Sequence, residues 1–312
     1  MQKNAALNGK LLHWFRRFIW LPSKWIFTPV ALVCIAYIVW LSRFSILALW
    51  NASNAALLVV ACVFLGLAHV VLPLTSRMIL RLFGTTVDYR AVLKIHLRRL
   101  PARYLPGGVW HTVGRAVDLH DHGVPKTTIG WMVALEQGLS VGIALVLGGG
   151  LLLFFGGQAT SYTWMVALTA ASALVAIVVL PSFIRRYGSN AASNVRPREW
   201  AECYLRFALV WTFQAAAFVA YSAALVGADT VNDMLHAAGV YLFAWAIGYI
   251  AFFAPQGIGV FEATASALSG QALLPASIAM LAGFRLCMLL VDLCLGLLGR
   301  CIGGHDGQTL KT

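Results

Sequence analysis

The sequence predicts an all-α, polytopic integral membrane domain of about seven or eight transmembrane helices with two Pro/Gly-broken re-entrant segments. Three observations predict it. Hydrophobic residues make up 60% of the 312 and charged residues only 11%, with mean hydropathy +0.80; so few charges cannot clothe a water-soluble globule. Apolar runs of roughly 17–25 residues, the span of a bilayer core, follow one another from about residue 25 to 303. Those runs are broken twice, at Tyr104-Leu105-Pro106-Gly107-Gly108-Val109-Trp110 and at Phe253-Ala254-Pro255-Gln256-Gly257-Ile258-Gly259-Val260. Lipid offers backbone N–H and C=O groups no partners, so such breaks survive at membrane depth only inside protein or beside a polar cavity.

Residues 1–24 form a basic cytoplasmic N-terminus carrying Lys3, Lys10, Arg16, Arg17 and Lys24. The first helix is expected from Trp25 to Leu41. Tyr37, Trp40, Leu41 and Arg43 stand where a small-residue cleavage site would lie, which predicts an uncleaved span rather than a signal peptide. A second helix is expected from Asn54 to about Leu74, ending near Pro73. Residues 77–103 alternate bases with Leu, Ile and Val, the pattern of an amphipathic helix at the cytoplasmic interface. Residues 104–124 turn from apolar to polar and read as a re-entrant hairpin.

A helix from Thr127 to about Leu153 carries Glu136, and Gly148-Gly149-Gly150 is expected to loosen or end it. Another covers Thr163–Leu180, capped by Pro181. Spans follow at Phe207–Val226 and about Leu235–Phe253, then the second broken segment over 255–274. The last helix runs from Ala276 to about Ile302, with Gly296, Gly299 and Gly303 spaced for close packing. Residues 25–303 thus form one transmembrane domain, and 304–312 a short tail. Seven spans and two re-entrant segments leave the tail outside; a full crossing after Pro255 makes eight and puts it in the cytoplasm.

The net charge of +12 is not that of a nucleic-acid-binding protein, because its distribution follows the membrane. Bases collect in 1–24, in 77–103 (Arg77, Arg81, Arg90, Lys94, Arg98, Arg99 and Arg103 against Asp88) and in 185–206. The loops near 43–54, 151–162 and 227–235 hold Arg43, Asp229 and Asp233. That is the positive-inside asymmetry, with the N-terminus cytoplasmic. The six cysteines form no CxxC pair and read as packing residues. Asp118-Leu119-His120-Asp121-His122 reads as a solvated turn, since histidines two apart with no second ligand group make no metal site. No Walker lysine motif, nucleophile elbow or HExxH is present, so neither an autonomous enzyme, a metal nor a cofactor is expected.

Glu136, Glu262, Arg285 and Asp292 lie inside or beside spans, where a charge at helix centre costs about 2.5–3.5 kcal/mol unless it pairs or meets a polar cavity. Arg285 and Asp292 are seven apart on one helix, so each is expected to meet another helix. Arg115 follows the first break, and a buried arginine can grip a phosphate through two parallel hydrogen bonds. Gly107, Gly108, Gly257 and Gly259 let backbone N–H groups approach an anion, with half-helix N-termini pointing at it. Gly107, Gly257 and Gly259 are expected in conformations or contacts that a side chain would disturb.

At these residues the chain resembles the transmembrane flippase domain of lysylphosphatidylglycerol synthetases and their stand-alone relatives. The resemblance is carried by Arg103-Tyr104-Leu105-Pro106-Gly107-Gly108-Val109-Trp110 with Gly114-Arg115, by Glu136, by Pro255-Gln256-Gly257-Ile258-Gly259-Val260-Phe261-Glu262, and by Arg285-Leu286. Gln256 departs from the family's usual glycine, and Phe261 stands where many relatives carry arginine. The family's aminoacyl-transferase domain has no counterpart in these residues. The resemblance implies a lipid-binding protein of the bacterial inner membrane that translocates an amphipathic phospho-, glyco- or isoprenoid lipid through a polar cavity. On that expectation Arg115 and Arg285 hold an anionic headgroup, Glu136 and Glu262 balance them, and Pro106, Gly107, Gly108, Trp110, Pro255, Gly257 and Gly259 line the site. The competing expectation is a non-transporting scaffold for a glycosyltransferase or lipid-modifying enzyme, docked through 77–103.

Overall fold

The structure is a computed structural model that describes Trp40 and residues 54–104, 109–156, 162–187, 195–226, 230–251, 257, 259–269 and 275–301. The expected first span (Trp40 apart), Pro106-Gly107-Gly108, Pro255 and the tail lie outside the described residues. Within them every regular element is helical: α1 Ala55–Leu82, α2 Tyr89–Arg99, a 3-10 turn Leu100–Tyr104, α3 Trp110–Asp121, α4 Lys126–Phe155, α5 Thr163–Tyr187, α6 Pro197–Val226, α7 Val231–Ile250, α8 Val260–Ser269 and α9 Pro275–Cys301. Helices α1, α4, α5, α6, α7 and α9 are six elements long and apolar enough to cross a bilayer, as in a multi-pass membrane protein. Helices α2, α3 and α8 have 11, 12 and 10 residues. At about 1.5 Å per residue they reach roughly half of a bilayer core. They are too short to cross.

The apolar surface is turned outward. Leu168, Val175 and Val178 on α5 and Leu297 and Leu298 on α9 are exposed, the arrangement expected where lipid rather than water is the solvent. Inside, Phe218 and Tyr221 of α6, Tyr241 of α7 and Phe284 of α9 close into an aromatic core, with Tyr241 and Phe284 edge to face at 5.3 Å. Helix α6 packs antiparallel on α1, with Phe64 stacked on Phe213 at 5.9 Å and Arg206 donating to the Leu74 carbonyl at 3.0 Å. Helices α4 and α7 are likewise antiparallel, Gly148 lying against Phe243 and Gln137 against Tyr249.

Several expected boundaries are corrected. Pro73 lies inside α1 and Pro181 inside α5; neither ends its helix. A proline strips the carbonyl four residues back of its helical donor. At Pro181 the Tyr204 hydroxyl donates to the Ile177 carbonyl, four residues before it, at 3.0 Å. Gly148-Gly149-Gly150 does not loosen α4, which runs through it. A Cβ at Gly148 would lie 2.7 Å from the Phe243 backbone nitrogen and one at Gly149 2.6 Å from Ala170, so these glycines are the packing seam against α7 and α5.

Residues 77–103 are not one interfacial helix. Residues 77–82 complete α1; Gly84 turns the chain at φ 80°, and Asp88 caps α2 by accepting from the Arg90 N–H at 2.9 Å. Helix α2 then runs back along α1, burying Val92, Ile95, His96 and Leu97. Helix α9 passes it in the opposite direction: Gly299 meets Leu97, Gly296 meets Pro101, and Asp292 meets Arg103 and Tyr104. Helix α8 turns back on α7, with Phe261 against Gly248 and Tyr241.

Candidate functional site

Arg115 and Glu136 meet at the interior face of α3 and α4. Arg115 is 2% exposed and Glu136 3%. The guanidinium donates from Nη1 to Glu136 Oε2 at 2.8 Å and from Nη2 to Oε1 at 3.0 Å, a two-pronged pairing. Ser76 of α1 closes the triangle: its hydroxyl donates to Glu136 and accepts from Arg115 Nη2 at 2.9 Å. Arg115 Nε has no partner among the described residues. Beside the pair, Gln137 accepts from the Tyr249 hydroxyl and reaches Thr112 at 3.4 Å, tying α4 to α7 and α3.

A second pair joins α8 to α9. Arg285 Nη2 lies 3.2 Å from Glu262 Oε1, and the guanidinium sits 4.9 Å above the Phe261 ring. Glu262 also accepts the Gly259 N–H at 2.7 Å, as a third-position glutamate does when it reaches back to cap its own helix. The chain reaches that helix through Gly257 at φ 66° and Gly259 at φ 87°. A Cβ at Gly257 would lie 2.7 Å from the Gly248 carbonyl oxygen, so this turn needs glycine twice over: for its dihedral and for its closeness to α7.

Asp292, 1% exposed, anchors a third cluster two turns along α9 from Arg285. It accepts from Arg103 Nη1 at 3.2 Å, from the Tyr104 hydroxyl at 2.9 Å and from His69 Nε2 at 2.7 Å. His69 Nδ1 lies 3.1 Å from His96 Nε2, and the His96 ring meets His111 edge-on at 5.4 Å. Neither His96 Nδ1 nor His111 Nε2 has a hydrogen-bond partner among the described residues. Burial, and then the nearby Arg115 charge, hold both His96 and His111 well below the ordinary imidazole value, so both rings are neutral.

The expected charges are therefore buried and paired across helices, with Arg285 and Asp292 each meeting a different partner. Arg115 pairs with Glu136 and Arg285 with Glu262, while Asp292 anchors a hydrogen-bonded cluster of its own. Trp110 opens α3, half-buried. Asp118 pairs with Arg99 near the C-terminal end of α3, and His122 Nδ1 lies 2.8 Å from the Asp118 carbonyl oxygen. Sequence reasoning passed over His69, His96, Ser76 and the Arg103–Asp292 pair. His69 carried a signal, an ionisable residue midway along an apolar run; His96, inside a basic amphipathic stretch, carried none.

The chain matches no model of a known protein family and no curated protein.

Proposed function

We propose that this protein binds an amphipathic membrane lipid and passes its headgroup through a polar path inside the bundle. The carrying observation is that three ion pairs, Arg115–Glu136 buried at both ends and Arg285–Glu262 and Arg103–Asp292 half-buried at the arginine, hold residues that flank the two broken segments in sequence within an otherwise apolar helical bundle. Moving a lipid requires a polar track for the head while the tails stay in the bilayer. The pairs cancel one another's charge, so such a track is held without an isolated ion facing lipid.

In this proposal the two broken segments are re-entrant hairpins that enter from opposite faces. Helix α2, the 3-10 turn and α3 descend from the basic side along α1 and return to α4. Helices α7 and α8 form the opposing hairpin, and α9 crosses fully, bringing Cys301 to the basic side. With the first span expected over 25–41, the N-terminus and tail are both cytoplasmic. Opposed broken segments meeting inside the membrane are the arrangement of transport proteins with inverted halves. The same residues carry the likeness to the lysylphosphatidylglycerol synthetase flippase domain, which makes a bacterial inner-membrane lipid transporter the leading reading. Because each buried arginine already has a carboxylate, an anionic headgroup must displace Glu136 or Glu262 to be held.

The alternative is a scaffold for a lipid-modifying enzyme, in which the pairs serve packing alone. Reconstitution with fluorescent lipids separates the two. Transport predicts protein-dependent crossing of headgroups, abolished in Arg115→Ala and Glu262→Ala variants that still insert. Wild-type exchange at background gives the scaffold the lead.

A further inference from the structure

Asp292, His69 and His96 form a chain of hydrogen bonds running from α9 through α1 to α2. Asp292 Oδ2 accepts from Arg103 and Tyr104, and as the carboxylate partner of Arg103 it accepts the His69 Nε2 proton at Oδ1 across the 2.7 Å contact. In the tautomer that carries its proton on Nε2 alone, His69 Nδ1 is bare and His96 Nε2 donates across the 3.1 Å gap. That leaves a lone pair on His96 Nδ1. This atom is fully buried, has no partner among the described residues, and lies beside the His111 ring, whose Nε2 is also unpartnered. An unmet lone pair at the end of an imidazole–imidazole–carboxylate chain is a costly feature for packing alone, because it forfeits solvation without return.

We propose that this chain is a proton-binding relay, in which a proton and the Arg103 guanidinium are alternative occupants of the Asp292 carboxylate. A proton from water forms an N–H bond at His96 Nδ1. The Nε2–H bond of His96 breaks as its proton bonds His69 Nδ1, and the Nε2 proton of His69 passes to Asp292 Oδ1. Net, one proton is taken up and one carboxylate becomes a carboxylic acid, with both imidazoles neutral again in the opposite tautomer. Arg103 is the partner able to leave: its contact is the longest at 3.2 Å and its side chain is 26% exposed, against 1% for Asp292. An unpaired carboxylate at that burial does not stay ionised.

The surrounding charges set the same order of events. Arg115 and His111 face His96 from α3, His69 from α1 and Arg103 from the 3-10 turn, while Asp292 of α9 faces His69 and Tyr241 and Tyr249 of α7 lie toward Arg103. The held-down basicity of His96 makes it a carrier rather than a resting place for the proton. Releasing Arg103 frees the residue that precedes Tyr104 and the first broken segment. That this release drives headgroup movement rests on the lipid-transport reading; the proton binding itself does not.

Infrared difference spectroscopy on the full-length protein, reconstituted in phosphatidylcholine–phosphatidylglycerol vesicles and stepped from about pH 8 to about pH 5, tests it. The expected result is a protonated-carboxyl band that Asp292→Asn removes. His69→Gln keeps a donor to Asp292 but cannot hand on a proton, and slows the rise of the band after a rapid pH step in a protein that melts like the wild type. Arg103→Gln leaves the carboxylate without its cation and moves the band to higher pH. Absence of the band in the wild type, a band that rises as fast in His69→Gln as in the wild type, or an unmoved titration in Arg103→Gln each overturns the relay. Headgroup exchange at background with the band behaving as expected sinks the transport reading and leaves the relay standing; exchange without the band does the reverse.

Discussion

Arg115 and Glu136, 21 residues apart and on different helices, share two hydrogen bonds of 2.8 and 3.0 Å at a depth where each is nearly solvent-free. Removing one partner strands the other as a buried charge. Arg115→Met and Glu136→Leu should each destabilise the protein by about 3–5 kcal/mol, while the double variant loses less than the sum. Thermal melts of all four proteins in detergent measure this; additive losses would mean that the pair is not coupled.

Gly257 and Gly259 both hold positive φ, but only Gly257 is crowded. Gly259→Ala should cost about 1–2 kcal/mol for the left-handed backbone alone. Gly257→Ala adds a clash with the Gly248 carbonyl and should be distinctly worse. Equal losses would contradict the close approach of this turn to α7.

The Tyr204 hydroxyl stands in for the helical donor that Pro181 lacks. Tyr204→Phe should therefore cost about 1–3 kcal/mol, the cost of an unsatisfied buried carbonyl. In a Pro181→Ala background the restored N–H bonds Ile177, and the same substitution should cost little. A double-mutant cycle on melting temperature reads the difference directly.

Topology is open to labelling in a cysteine-free background. Cysteines at positions 90 and 198 should react only from the cytoplasmic side and one at 233 only from outside. Cys301, restored alone, should label with the first group, because α9 runs antiparallel to α2. Labelling of Cys301 from outside would overturn the opposed hairpins.

Acid should weaken the fold through His96 and His111. Burial, then Arg115, depresses both imidazoles below the ordinary value of 6.5, so the unfolded chain binds protons that the folded protein refuses. Stability is therefore full above about pH 6.5 and is lost as pH falls below it toward the folded-state values. Melting temperature should drop from pH 7.5 to about pH 5.5 in the wild type, and less steeply in His96→Gln. Parallel slopes would show that His96 takes up its proton without penalty.

The sequence by itself determined that the chain is helical and built for a bilayer, because run length and apolar content are local properties that hold whatever the helices touch. It also singled out Arg115, Glu136, Glu262, Arg285 and Asp292, since a charge in an apolar run is costly wherever it ends up. Only the tertiary structure decided who pairs with whom. Local propensity misleads at Pro181, where a tyrosine of a neighbouring helix supplies the missing donor, and at Gly148 and Gly149, where closely packed helices leave no room for a side chain. His69, His96 and Asp292 come from α1, α2 and α9, and nothing in their spacing foretells a chain of hydrogen bonds. Such a chain depends on contacts between helices far apart in sequence, and those contacts exist only after the bundle has closed.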